Sequence, residues 1–172
     1  MYFDTTCWIR TIETVSGSLL NEKNAIIDIL DLKEQNPSQY EIVSCKTQLH
    51  QLYTKKNSGN TSAAMKEALV VAIAQLEIHA EHTITNDPFN VIQKRNELQQ
   101  LISLPDNEDA KHIVTAWIHQ ADYFITVDWR SILNFNTGHI IENALRSMVH
   151  PIQGIIGLNM TIIDPISLLA IL

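Results

Sequence analysis

Apolar and polar positions along the chain follow two periods. Short runs of strand-forming apolar residues occur in four places, and segments with apolar residues at helical spacing follow each of them. The predicted strands are 1–5, 40–44, 122–126 and 160–164. This order predicts an α/β protein with a mainly parallel central sheet, because helical crossovers join parallel strands and cover both faces of a sheet.

The helical segments differ in how their apolar residues are arranged. They are predicted at 6–13, 22–34, 47–55, 61–79, 89–101, 109–120, 129–135, 137–150 and 165–171. The segment 61–79 contains ALVVAIA, which is apolar on every side and predicts a buried central helix too short in its apolar part to span a bilayer. The three tryptophans, Trp8, Trp117 and Trp129, are expected to be core or interface residues rather than platforms for base stacking.

Composition limits the classes of function. The 172 residues suit one domain, 1–172, and the net charge of −7 argues against binding nucleic acid by bulk electrostatics. Carboxylates gathered around a metal ion also make a protein acidic, so a metal-dependent enzyme that acts on phosphodiesters is not excluded. Cys7 and Cys45 lack CxxC spacing, and the stretch MYFDTTCWIR has no basic region followed by an apolar run. We therefore expect a cytoplasmic protein without membrane association.

Three aspartates are predicted to lie near one edge of the sheet. Asp4 ends the first strand, Asp128 follows the third, and Asp109 opens the helix that leads into that third strand. Ligands of open parallel sheets bind outside the carboxyl ends of the strands. Oxygen ligands suit Mg²⁺ or Mn²⁺, and such ions orient an attacking water and neutralise charge in phosphodiester cleavage. Each aspartate also precedes a helix, so a role as helix N-cap is the alternative.

Three blocks of the chain together resemble the PIN domain family. MYFDTTCWIR resembles the family's opening strand, Asp, Thr or Ser, and apolar helix. EDAKHIVTAWIHQADYFITVDWRSI resembles its helix with an acidic start, followed by Ala-Asp, a strand and Thr-x-Asp. TIIDPISLLAIL resembles its closing strand, Pro and helix. The three blocks occur in the family's order, which is more specific than any one of them.

The resemblance implies a three-layer α/β/α fold and a metal-dependent endoribonuclease, often the toxin of a toxin–antitoxin pair. It implies that Asp4, Asp109 and Asp128 bind Mg²⁺ or Mn²⁺ and are the catalytic residues. Thr126, and Thr5 beside Asp4, would support the site by hydrogen bonding. RNA would be the substrate and an antitoxin protein a partner, and the apolar closing segment together with the family favours a homodimer.

The chain departs from the family pattern in two places. Many members carry a further Glu in the helix after the second strand, where this chain has SCKTQLHQL. That position falls on His50, or on Gln51 if the register shifts by one residue, and neither is acidic. His50 is a candidate ligand for Mn²⁺ or an ordinary helix residue. The second departure is a helical insertion at about 57–105.

Two arginines complete the candidate site. Arg10 and Arg130 each follow a strand end closely enough to contact a substrate phosphate, although an ion pair between Arg10 and Glu13 is the alternative. The sequence thus predicts a PIN-like ribonuclease. The missing acidic residue motivates a second hypothesis, a catalytically weakened protein of this fold that acts in binding or assembly.

Overall fold

The computed structural model describes residues 1–80, 82–84 and 88–172, with the side chains of 82–84, 88 and 89 left out. The described residues contain a five-stranded sheet in the order β3-β2-β1-β4-β5, with every neighbouring pair parallel. The strands are β1 Tyr2–Phe3, β2 Val43–Cys45, β3 His82–Ile84, β4 Tyr123–Ile125 and β5 Thr161–Ile163. The prediction of an α/β protein with a parallel sheet is confirmed.

Helices connect successive strands. They are α1 Thr5–Ile12, α2 Ser18–Gln35, α3 Lys46–Asn57, α4 Ala63–His79, α5 Pro88–Ile102, α6 Asn107–Ile118, α7 Ile140–Ser147 and α8 Pro165–Leu169. A π-helical turn, Trp129–Leu133, follows β4. In the described part of the chain, no helix is long and apolar enough to cross a membrane.

The apolar side chains form two cores on opposite faces of the sheet, because successive strand residues point to opposite sides. Tyr2 and Phe124 belong to the core beneath α5, α6 and α7. Phe3 and Ile125, the next residues of the same strands, belong to the core that includes α1, α2 and α4. The sheet is therefore covered by helices on both faces, as the sequence pattern predicted.

The segment 57–105 differs most from its prediction. It contributes β3 at the edge of the sheet as well as α4 and α5, whereas only helices were predicted there. The strand was missed because it is three residues long and its sequence, His82-Thr83-Ile84, has no apolar run. The prediction of a buried central helix is wrong: Leu69 and Leu76 are buried, but Val70 and Val71 are about half exposed. The helix therefore buries one face and leaves apolar residues exposed on the other.

Candidate functional site

The strand order creates a crevice between β1 and β4. From β1 the chain runs outward on one side to β2 and β3, and then continues on the other side with β4 and β5. The point where the order reverses lies between β1 and β4, and such switch points are the usual binding sites of open parallel sheets. Asp4 directly follows β1, and Asp128 comes three residues after the end of β4. Both predicted aspartates therefore lie at the carboxyl ends of the two strands that flank the switch point.

Asp4 is a buried carboxylate held by three donors. Only 4% of the residue is exposed. Its Oδ1 accepts from the backbone N–H of Thr5 at 2.7 Å, which caps α1. Its Oδ2 accepts from the hydroxyls of Thr6 at 2.6 Å and Thr126 at 3.0 Å. These three hydrogen bonds fix the direction of both oxygens.

Thr126 links the two strand ends. Its hydroxyl donates to Asp4 and accepts from the backbone N–H of Asp128 at 3.0 Å, so one buried side chain holds both aspartates in register. Asp128 itself caps the π-helical turn, since its Oδ1 accepts from the N–H of Ser131 at 2.8 Å. Capping and a role in the site are thus compatible for Asp128, because one carboxylate oxygen remains for another partner.

Asp109 lies in the first turn of α6, but it does not open the helix as the sequence suggested. The N-cap is Asp106, whose side chain accepts from the N–H of Glu108 at 2.7 Å. Asp109 is half-buried, and we find no hydrogen bond to its carboxylate from any described residue. This carboxylate is therefore free to approach a ligand.

Electrostatics connect Asp109 to the other two aspartates. Burial raises the pKa of Asp109 to about 7, and the negative charges of Asp4, Asp106 and Asp128 contribute to the rise. A carboxylate whose pKa is raised by its neighbours lies within their electrostatic range. The three predicted aspartates consequently share one region of the structure, and their mutual repulsion is the kind that a divalent cation relieves.

The positions of the possible metal ligands support a metal site less clearly than the electrostatics do. Among the described residues, no group of three His, Cys, Asp or Glu side chains is arranged to hold a metal ion. Each carboxylate oxygen has two lone pairs, so an oxygen of Asp4 or Asp128 that accepts a protein hydrogen bond could still ligate an ion. The donor chemistry of Asp4, Asp109 and Asp128 fits Mg²⁺ or Mn²⁺, and bringing the three carboxylates onto one ion would require their side chains to rearrange.

His50 and Gln51, the two residues where the resemblance leads us to expect a Glu, have different surroundings. Gln51 Oε1 accepts from the hydroxyl of Thr5 at 2.6 Å, so the amide faces the residue next to Asp4. His50 is exposed, its nearest polar partner is Thr54 on the same helix at 3.5 Å, and it lines the same cavity of about 440 Å³ as Gln51 and Glu108. The role of His50 as a metal ligand stays a prediction.

Thr5 hydrogen-bonds to Asp4 through its backbone N–H, whereas its hydroxyl is directed at Gln51. The hydroxyl that reaches Asp4 belongs to Thr6. The sequence motif offers both residues at the start of α1. Because adjacent helical residues point about 100° apart, the sequence alone does not show which of the two hydroxyls reaches back to Asp4.

The two candidate arginines have different environments. Arg10 forms ion pairs with Glu13 at 2.8 Å and with Glu22 at 3.3 Å, so the alternative predicted for it is the observed one. Arg130 is exposed and forms no ion pair or side-chain hydrogen bond with any described residue. Arg130 is thus the arginine that remains able to bind a phosphate.

Sequence reasoning missed a lysine at this edge. Lys55 lines two neighbouring cavities, one of about 250 Å³ that also includes Thr6 and Asp128, and one of about 440 Å³ that includes Gln51 and Glu108. It is exposed and without an ion pair in the described part of the chain. The helical spacing Gln51–Lys55 puts both side chains on one face of α3, and this spacing was the available signal.

A buried polar cluster lies close to the carboxylates. The Tyr2 hydroxyl is 2.8 Å from His112 Nδ1 and 3.1 Å from Cys45 Sγ. Burial alone would raise the pKa of Cys45, but hydrogen bonding and the charge of His112 lower it overall. Burial alone would lower the pKa of His112, but Cys45 and the charge of Asp4 raise it. His112 is thus a buried core residue that feels the field of Asp4, not a surface residue.

Comparisons with protein-family models, with curated proteins and with solved structures gave no match.

Proposed function

We propose that this protein is a PIN-like, Mg²⁺- or Mn²⁺-dependent endoribonuclease with a three-layer α/β/α fold. The observation that carries the proposal is the placement of Asp4 and Asp128 at the switch point of the sheet, joined through Thr126 and close enough to Asp109 for their charges to raise its pKa. Uncompensated carboxylates at this position favour a divalent cation. The order of strands, aspartates and Thr126 agrees with the resemblance found in the sequence.

Each residue has a distinct part in the proposed reaction. Asp4, Asp109 and Asp128 would hold the ion, which would supply Lewis-acid stabilisation of the phosphate and activation of water. Thr126 keeps Asp4 and Asp128 at a fixed separation through its two hydrogen bonds. Arg130 and Lys55 are the unpaired cations that bind substrate phosphates on either side.

The direct test is cleavage of single-stranded RNA with added Mn²⁺ or Mg²⁺. We expect cleavage by the wild type and a loss of at least about 100-fold in Asp128→Asn, because a neutral amide binds a hard cation poorly. Asp122→Asn is the matched control, since Asp122 is an exposed aspartate at the opposite end of β4. Equal activity of the wild type and Asp128→Asn would refute the catalytic role.

The second candidate is a catalytically weakened protein of the same fold that acts in binding or assembly. The observation that favours it is Gln51, a neutral amide at the position where the family commonly has Glu. This candidate predicts no heat of binding in calorimetric titrations with millimolar Mn²⁺, whereas the nuclease predicts saturable binding. An antitoxin partner and a homodimer stay predictions from the resemblance, and a cytoplasmic location stays a prediction from composition.

A further inference from the structure

Trp129 is an exposed tryptophan beside the candidate site. It directly follows Asp128, and 46% of its surface is exposed, whereas Trp8 and Trp117 are fully buried. Trp129 is therefore not a core residue, in contrast to Trp8 and Trp117. A large aromatic ring left in water loses the stabilisation that burial would give it. Such a ring next to a carboxylate site is a surface that a ligand can cover.

The indole ring is held in one orientation by a buried acid. Trp129 Nε1–H donates to Glu22 Oε1 at 2.9 Å, and Glu22 is 5% exposed. The other oxygen of Glu22 faces Arg10 Nε at 3.3 Å, and Arg10 is paired with Glu13 as well. The Arg10–Glu22 contact is an ion pair without a hydrogen bond, so the indole is oriented by its own hydrogen bond to the buried Glu22. Since the only polar group of the ring already has a partner, a ligand meets the exposed part of Trp129 through the apolar ring.

Two cations lie close to Asp128, the residue before Trp129. Arg130 follows Trp129 in the chain and is exposed, and Lys55 lines the cavity that contains Asp128. An exposed aromatic ring next to a carboxylate site with such cations matches the chemistry of single-stranded nucleic acid, in which bases stack on aromatic rings and phosphates pair with Lys and Arg. The acidic net charge of the chain makes a purely electrostatic contact insufficient, so stacking has to supply part of the affinity.

We propose that Trp129 is the stacking platform for one unpaired nucleobase of single-stranded RNA whose neighbouring phosphate lies at Asp128. The inference rests on the proposed ribonuclease function and names a residue that would recognise the substrate next to the carboxylates. A base inside a duplex is already stacked on its neighbours and does not offer its face to the ring. Trp129 would thus select unpaired segments and position the phosphate beside the stacked base.

The test uses the intrinsic fluorescence of the full chain, because Trp129 is the exposed tryptophan. Short single-stranded RNA is titrated in Ca²⁺, and an oligomer of the same length with abasic ribose units is titrated alongside. We expect quenching by RNA and much less by the abasic oligomer. In anisotropy measurements with labelled RNA, Trp129→Leu should bind about tenfold more weakly, and Trp129→Phe should retain most of the affinity. Tyr53→Leu removes another exposed aromatic ring, outside both cavities, and should bind like the wild type.

Several outcomes overturn the inference. Equal quenching by the abasic oligomer, or wild-type affinity in Trp129→Leu, would rule out stacking. Self-association of the wild type that disappears in Trp129→Leu, with RNA affinity unchanged, would assign the ring to an interface between protein chains. The proposed function is tested separately by cleavage in Mn²⁺. If Trp129→Leu cleaves RNA with an unchanged KM, only the stacking is refuted. If the wild type shows stacking but no cleavage, only the nuclease function is refuted.

Discussion

The two edges of the sheet carry aspartates in opposite circumstances. At the amino edge, Asp122 is exposed, lines a cavity of about 660 Å³ and lies near the ammonium group of Met1. At the carboxyl edge, Asp4 is buried and Asp109 half-buried, and the neighbouring cavities are smaller. The charges of Asp4 and Asp128 help to raise the pKa of Asp109 there. The larger cavity therefore lies at the edge that carries Asp122, whereas the smaller cavities lie at the edge where the pKa of Asp109 is raised.

In this comparison, the way in which each aspartate's charge is compensated indicates the candidate site better than the volume of the neighbouring cavity does. At the amino edge, Asp122 is exposed, so water surrounds its carboxylate. At the carboxyl edge, Asp4 is compensated only by neutral donors, and Asp109 has no donor among the described residues. Perturbed titration behaviour concentrates at functional sites. The carboxyl edge is consequently where we expect a cation, and the predictions below test that contrast.

The largest effect is expected for Thr126→Val. This change keeps the shape of the side chain but removes the hydroxyl that joins Asp4 to the Asp128 backbone. A buried carboxylate and a backbone N–H would each lose a partner, so we expect a loss of about 2–3 kcal/mol in the free energy of unfolding. Urea titration measures this loss, and Thr137→Val, which removes an exposed hydroxyl, should change stability by less than about 1 kcal/mol.

The second prediction concerns the pH dependence of stability. The pKa of Asp109 rises from 3.8 to about 7 on folding, so the folded state binds a proton more tightly and stability falls as pH increases between those values. Asp109→Asn removes this penalty. We expect the variant to be more stable than the wild type by about 1–2 kcal/mol at pH 8, after allowance for partial exposure, and to show little advantage near pH 4.

The control for this pH dependence is Asp122→Asn, whose difference from the wild type should not grow between pH 4 and 8. Saturating Mn²⁺ should remove the advantage of Asp109→Asn at pH 8, because the ion stabilises the wild-type carboxylate. A pH-independent difference between wild type and Asp109→Asn would contradict the assignment of a raised pKa to this residue.

A third prediction separates Gln51 from His50. Gln51→Glu puts a carboxylate beside Thr5, where the amide now accepts the hydroxyl hydrogen bond. We expect this variant to bind Mn²⁺ several-fold to about tenfold more tightly in calorimetric titration, since another charged oxygen joins the site. His50→Glu adds the same charge at an exposed position one residue away and should leave the affinity nearly unchanged. The reverse result would restore His50 as the site residue.

The outcome of that comparison bears on what a sequence can predict. Asp4 and Asp128 could be placed from sequence because both follow strands, and parallel strands end at a common edge. The choice between His50 and Gln51 could not, because a shift of one residue turns a helical side chain by about 100°. Similarly, β3 has too few apolar residues for a strand to be predicted from its sequence, and its position depends on pairing with β2.

The smallest effect is expected for Lys55→Met. Lys55 lines both cavities of the carboxyl edge, whereas its neighbour Lys56 lies over the ring of Tyr53, with 5.8 Å between the ammonium nitrogen and the ring centroid. Removing one phosphate contact should weaken RNA binding about two- to fivefold and reduce the salt dependence by roughly one counterion. Anisotropy titrations at several salt concentrations measure this. Lys56→Met should match the wild type, and equal losses in both variants would mean that Lys55 has no specific contact.

The central claim, that the carboxyl edge binds a divalent cation, is tested most directly by anomalous diffraction from crystals grown in Mn²⁺. We predict a manganese peak within ligand distance of Asp4, Asp109 and Asp128. The peak should be absent from crystals of Asp109→Asn grown in the same way. No peak at this edge at saturating Mn²⁺, or an undiminished peak in Asp109→Asn, would contradict the account.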